Sequence, residues 1–142
     1  MRALFDVSAL IALFDHDHAH HVRAKTWLQQ NIAFGWATCP ITQNGMIRIM
    51  SQPAYPRATS TEDMALRLRA AMADPAHLFL SDNISLTDPQ HVHADALLTS
   101  NATTDIYLLA LAVAHNARFV TFDRGVSLRA VIGATPAHLV TL

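Results

Sequence analysis

One cysteine, Cys39, is all that the 142 residues contain. An internal disulfide is therefore excluded, and a reducing compartment, the cytoplasm, is the expected setting. Long apolar runs are missing as well. None reaches the roughly 18 residues a membrane-spanning helix needs, and no charged-then-apolar leader opens the chain. Lysine is nearly absent: Lys25 stands alone against nine arginines and nine histidines. Arginine suits bidentate phosphate contacts, but a GC-rich genome produces the same bias, and a net charge of −1 announces no nucleic-acid partner. Charged residues make up only 15% of the chain and apolar ones 51%, a balance that favours folding over disorder. A chain of this length buries roughly 68–70% of its unfolded surface, enough for a core without disulfide or metal staples. No repeat, low-complexity tract or linker divides it, so residues 1–142 are read as a single domain.

The pattern along the chain alternates strands and helices. Arg2 to Asp6 is a short apolar strand ending in an acid, followed by a helix over Val7 to Phe14. The run Asp15-His16-Asp17-His18 interrupts, and Ala19 to Ile32 shows helical spacing of Val22, Trp27 and Leu28. Gly35 to Cys39 reads as a second strand. Pro40 suits the first turn of a helix carrying Ile41, Gly45, Ile47, Arg48 and Met50. After a loop over Pro53 to Ser60, Thr59 and Glu62 are spaced as a capping box for a helix through Met72. His77 to Leu80 reads as a short strand and Pro89 to Leu98 as a helix. Thr104 suits the N-cap of a buried helix over Asp105 to His115. Arg118 to Phe122 is the strongest strand and ends on Asp123, and His138 to Leu142 closes the chain. Such alternation predicts a mostly parallel sheet covered on both faces, with ligands beyond the carboxyl ends of its strands.

That rule makes the acids at strand ends informative. Asp6 and Asp123 each follow an apolar strand, and Asp105 opens a helix. Singly, Asp6 reads as a turn or cap residue and Asp105 as a charge complementing a helix dipole. Together at one sheet edge they would repel one another, by up to about 4 kcal/mol for a pair roughly 4 Å apart at an effective dielectric near about 20. Unless a cation neutralises them, at least one is expected to be protonated. An all-oxygen anionic donor set suits Mg²⁺ or Mn²⁺ rather than zinc, and such a centre is the usual apparatus for phosphodiester hydrolysis.

The segments Leu4-Phe5-Asp6-Val7-Ser8-Ala9-Leu10-Ile11-Ala12-Leu13, Asp17-His18-Ala19-His20-His21, Gly35-Trp36-Ala37-Thr38-Cys39-Pro40-Ile41-Thr42, Thr104-Asp105-Ile106-Tyr107-Leu108-Leu109-Ala110-Leu111-Ala112 and Val120-Thr121-Phe122-Asp123-Arg124 carry a resemblance. Each is weak alone. In this order and separation they resemble the VapC-type toxins of the PIN-domain family over nearly the whole chain. The resemblance implies a PIN-like three-layer α/β fold with a mostly parallel sheet of four to five strands. It further implies Mg²⁺-dependent (or Mn²⁺-dependent) endoribonuclease activity, a homodimer, and a VapB-like antitoxin that inhibits the enzyme and binds operator DNA. The acidic site maps onto Asp6, Asp105 and Asp123 as metal ligands. The second acid of the pattern, normally within Thr-Glu-Asn-Gly, is replaced in Thr42-Gln43-Asn44-Gly45. Gln43 keeps the shape of glutamate without its charge and cannot act as a base. Either the natural sequence has drifted, or an isosteric inactivating exchange was introduced so that a toxic protein could be produced; the isosteric nature of the change favours the second. On either reading Gln43 is expected to face the same cleft, with metal binding and cleavage weakened, and Gln43→Glu to restore activity.

The remaining candidates read as structural. His16, His18, His20 and His21 lack a cysteine or second cluster to complete a soft-metal site, so they are expected to be solvated or capping. Ser8 is expected to cap a helix rather than hold a site water. Arg48 and Arg124 suit RNA phosphates and surface ion pairs equally well. Asp82 and Asp88 flank a turn, and Trp27 and Trp36 fit an apolar core. Among other functions, a phosphoryl-accepting receiver module needs a late lysine, and Lys25 comes too early. A haloacid-dehalogenase-like phosphatase needs an acid where Ser8 stands. A non-enzymatic partner that only sequesters RNA or an antitoxin is the alternative if Gln43 is natural.

Overall fold

Where the sequence alternates apolar runs with helical periodicity, the chain builds a parallel sheet between two helical layers. The computed structural model describes residues 1–96 and 99–142. Among these, the strands are β1 (Arg2–Phe5), β2 (Trp36–Thr38), β3 (His77–Phe79), β4 (Ala117–Thr121) and β5 (Leu139–Thr141). They form one all-parallel sheet in the order β3-β2-β1-β4-β5. The helices are α1 (Val7–Phe14), α2 (His21–Asn31), α3 (Pro40–Met50), α4 (Thr61–Met72) and α5 (Thr103–Ala114).

Strand alternation divides the core in two. Leu4 and Phe119 turn toward α5, joining Leu108, Leu109 and Leu111. Ala3, Phe5 and Val120 turn the other way, joining Leu10, Met46 and Met64 from α1, α3 and α4. Helix α1 packs between α2 and α3, and Gly45 makes its contact with α3 possible: a Cβ there would stand 2.5 Å from Val7 Cγ2. The close approach holds the first turn of α1, the residues just after β1, firmly against α3.

The connectivity fixes where a ligand belongs. From β1 the chain builds outward through β2 and β3, then returns to lay β4 and β5 on β1's other side. The reversal falls between β1 and β4, and the crevice of an open parallel sheet opens at such a switch point.

Three local expectations are corrected. The described part of the Pro89–Leu98 helix is not α-helical; its last two residues lie outside the described residues. The Asp88 carboxylate accepts from Gln90 N at 2.8 Å, and only Ala94–Ala96 forms a 3-10 turn. Backbone groups there bond across to a distant segment instead, His93 N to Ala130 O at 3.0 Å and Ile132 N to His91 O at 2.9 Å. Helix α4 is capped by Ser60, whose hydroxyl accepts from Asp63 N at 3.0 Å. Thr59 is occupied elsewhere, its N–H donating to Met50 O. Helix α5 begins at Thr103, continuous with a 3-10 turn capped by Thr99, so Thr104 lies inside it.

Candidate active site at the carboxyl edge of the sheet

Asp6 and Asp123 emerge from neighbouring strands at the switch point, and Asp105 reaches the same place from the first turn of α5. With Val7, Ser8, Thr104 and Leu108 they line one cavity of about 270 Å³. The three acids singled out in the sequence therefore converge, on the edge where a parallel sheet binds ligands.

Asp6 is rigidly held. It is the N-cap of α1, its Oδ1 accepting from Ala9 N at 2.6 Å. Ser8 is the second residue of α1 rather than its cap, and its hydroxyl donates to both Asp6 oxygens, at 3.0 and 3.1 Å. The fully buried Thr121 completes the cradle: its hydroxyl donates to Asp6 Oδ2 at 2.5 Å and accepts from Asp123 N at 3.0 Å. One side chain thus ties the two strand-end acids together. Asp123 is exposed, and its Oδ1 accepts from Gly125 N at 2.6 Å. Neither Thr121 nor the cavity-lining role of Thr104 was expected. A threonine among apolar strand residues carries no signal, and Thr104 looked like a cap.

Burial and mutual repulsion work against ionisation here. Burial raises the Asp6 carboxyl above its ordinary range, against hydrogen bonds from Thr121, Ala9 and Ser8 that favour the charge, and Asp123 raises it further. Asp105 is pushed up to about 6, first by burial and then by the charges of Asp6 and Asp123. Among the described residues, no lysine, arginine or histidine lines the cavity to offset the three acids. An oxygen-only donor set with uncompensated negative charge fits a hard divalent cation that keeps several waters. The side chains are more open than a closed ligand cage: among the described residues, no three His, Cys, Asp or Glu side chains are drawn together as a metal cluster.

Gln43 does not face this cavity. Its Nε2 donates to Thr38 Oγ1 at 2.9 Å and approaches Met72 Sδ at 3.4 Å, and Thr38 Oγ1 also bonds His77 Nε2 at 2.9 Å. The amide is employed as a donor, which a carboxylate could not be.

The other candidates separate cleanly. Among the described residues neither Arg48 nor Arg124 has a carboxylate partner, and both are exposed. His21, expected to be solvated or capping, is buried and ties α2 to α1 through Nδ1 and Ala12 O at 2.8 Å. His18 does act locally, its Nδ1 accepting from His20 N at 3.1 Å. Trp36 is core, whereas Trp27 is only half-buried.

Fold, topology and acid cluster together define a class, and comparison with known proteins agrees. The PIN domain family matches residues 3–131, and the chain belongs to that family. Within it, the similarity is to VapC-type members. Ribonuclease VapC44 of Mycobacterium tuberculosis is 48% identical over 142 residues, covering all of both chains. Ribonuclease VapC38 of the same organism is 39% identical over 142 residues, covering 99% of each. Ribonuclease VapC39 is 40% identical over 124 residues, covering 87% of this chain and 89% of the relative.

Proposed function

We propose that this chain is a metal-dependent endoribonuclease, the toxin of a VapBC-type pair, and that Asp6, Asp105 and Asp123 hold its cation. The observation that carries the reading is the convergence of three uncompensated carboxylates at the switch point of a parallel sheet. Relatives named as VapC ribonucleases across the full length support the activity and its RNA substrate, and with them a VapB-like antitoxin. The homodimer and the link to operator DNA through the antitoxin belong to the same proposal.

Mg²⁺, or Mn²⁺, bound there would neutralise phosphate charge and activate water for hydrolysis. The protein's own groups supply position. Ala9 N, Ser8 and Thr121 fix the Asp6 carboxylate before anything binds, so little reorganisation is needed on binding. Thr121 keeps Asp123 in register with it. Asp105, its carboxyl pushed up to about 6 in the free protein, would have to lose its proton to hold a cation. Because the Gln43 amide is turned away, the site works with three carboxylates, and Gln43 is a structural donor to Thr38 rather than a disabled base.

A second reading is favoured by one observation, the lack of charge at position 43: a catalytically weak chain acting by RNA or antitoxin binding. Cleavage of a mixed RNA pool with and without EDTA separates the two, comparing the chain with Gln43→Glu and Asp6→Asn. The three-carboxylate reading expects metal-dependent cleavage by the chain itself, no gain from Gln43→Glu, and loss in Asp6→Asn. Cleavage only after Gln43→Glu would make position 43 the fourth acid. No cleavage by either, with folded protein, would leave the binding reading.

A further inference from the structure

A second cavity lies apart from the acidic one. This groove of about 620 Å³ runs between α2 and β5, and among the described residues its lining contains no acidic side chain. Arg23, Thr26, Trp27 and Gln30 stand on it at spacings of three, four and seven along α2, which is one face of a helix. His20 lines the groove where α2 begins, and its ring lies against that of Phe122, with centroids 4.7 Å apart and planes 33° apart. The His18 ring follows at 5.7 Å from His20. Phe122 is anchored on the apolar cluster under α1–α4, and the next residue is Asp123. The ring stack at the His20 end of the groove thus includes the chain neighbour of one of the three acids.

We propose that this groove is a single-stranded RNA subsite, in which the His20–Phe122 pair stacks the nucleobase next to the phosphate positioned at the three aspartates; it rests on the nuclease reading above. The chemistry on the groove matches that ligand. Arg23 meets a phosphate, Thr26 and Gln30 offer hydrogen bonds to base edges or 2′-hydroxyls, and the Trp27, His20 and Phe122 rings offer flat apolar faces. Single strands are recognised by such a combination, because their bases are free to stack on protein rings. A duplex has its bases already stacked and gains nothing from the pair. Proteins with an acidic or apolar segment are the competing occupants; they have no need of a stacked ring pair.

The test uses fluorescence anisotropy of a short labelled single-stranded RNA with the full chain in EDTA, where no cleavage intervenes. His20→Ala is expected to weaken binding about tenfold, and His20→Phe, which keeps a flat ring, to restore most of it. Arg23→Gln is expected to reduce the salt dependence of affinity by about one phosphate contact. With Mg²⁺ and a cleavable RNA, the His20→Ala loss should fall on KM rather than kcat. Unchanged RNA affinity in both His20→Ala and Arg23→Gln overturns the proposal, as does equal affinity for duplex RNA, and a protein occupant of the groove predicts that first result. If the chain binds RNA in this His20-dependent way yet never cleaves it, the nuclease reading fails and the subsite stands. If it cleaves while His20→Ala leaves KM unchanged, the subsite fails and the nuclease reading stands.

Discussion

The two ends of strands β1 and β4 handle charge in opposite ways. At the carboxyl end, Asp6, Asp105 and Asp123 share a cavity with no cation opposite them. At the amino end, Arg2 donates from Nη1 to Ala76 O at 2.6 Å, and Arg118 donates from Nη2 to Asn31 Oδ1 at 2.7 Å. The Arg118 guanidinium also lies over the Trp27 and Phe34 rings, at 4.9 and 5.4 Å from their centroids. The amino end uses its charges to close the fold, with one residual imperfection, an Arg118 Nε that finds no partner among the described residues. The carboxyl end holds Asp6 and Asp123 by hydrogen bonds but, among the described residues, sets no cationic side chain in the cavity against the three acids, which leaves room for a bound cation. One end serves stability, the other stores a conflict for a ligand to relieve.

The strongest way to break this contrast is at the acids. Asp105→Asn should reduce metal-dependent RNA cleavage by about 100-fold or more. The same variant should raise the metal-free melting temperature by about 2–4 °C, since it removes a half-buried charge from between two others. Calorimetry beside a cleavage assay reads both. A melting temperature that falls with activity would show Asp105 to be a structural residue.

At the opposite end the expected effect is on stability alone. Gly35 has φ +78°, and a Cβ there would stand 2.7 Å from Ala76 O, a backbone atom that cannot swing aside. Gly35→Ala should destabilise the fold by about 2–3 kcal/mol in urea unfolding, with cleavage per folded molecule unchanged. Arg118→Ala should lower stability by a further-reduced amount, about 1 kcal/mol, through the lost Asn31 hydrogen bond and ring contacts. A variant as stable as the parent would show that burial of Arg118 cancels its contacts.

The smallest effect sharpens the comparison through pH. The Asp105 pKa is raised from 3.8 to about 6 in the folded chain, so between those values the folded state holds more of this proton than the unfolded state. Its contribution to stability is therefore lost as pH rises from about 4 to 6 in the absence of metal. Subtracting the pH profile of Asp105→Asn from that of the parent should leave this downward slope, and divalent metal should flatten it.

Much of the acid end was legible in the sequence because strand-end acids need only short patterns: an apolar run, then Asp. Asp6 after Phe5 and Asp123 after Phe122 announced themselves in that way, and the parallel direction of the strands, though not their order, followed from the intervening helices. The direction of Gln43 was not legible. Its placement depends on which turn of α3 meets Thr38 and Met72, a matter of helix rotation that only packing decides. The ring contact between His20 and Phe122 joins residues a hundred positions apart and leaves no periodic trace. The false helix after Pro89 failed for a related reason, since its backbone partners at residues 130–132 compete successfully with local hydrogen bonds.

The position of β1 between β2 and β4 also bears on biosynthesis. A ribosome releases the amino-terminal strands early, but β1 gains its second neighbour only when Ala117–Thr121 has been made. Until then Asp6 has neither the Thr121 hydroxyl nor Asp123 beside it. A chain released before Thr121 and Asp123 have been made thus carries no assembled carboxylate centre.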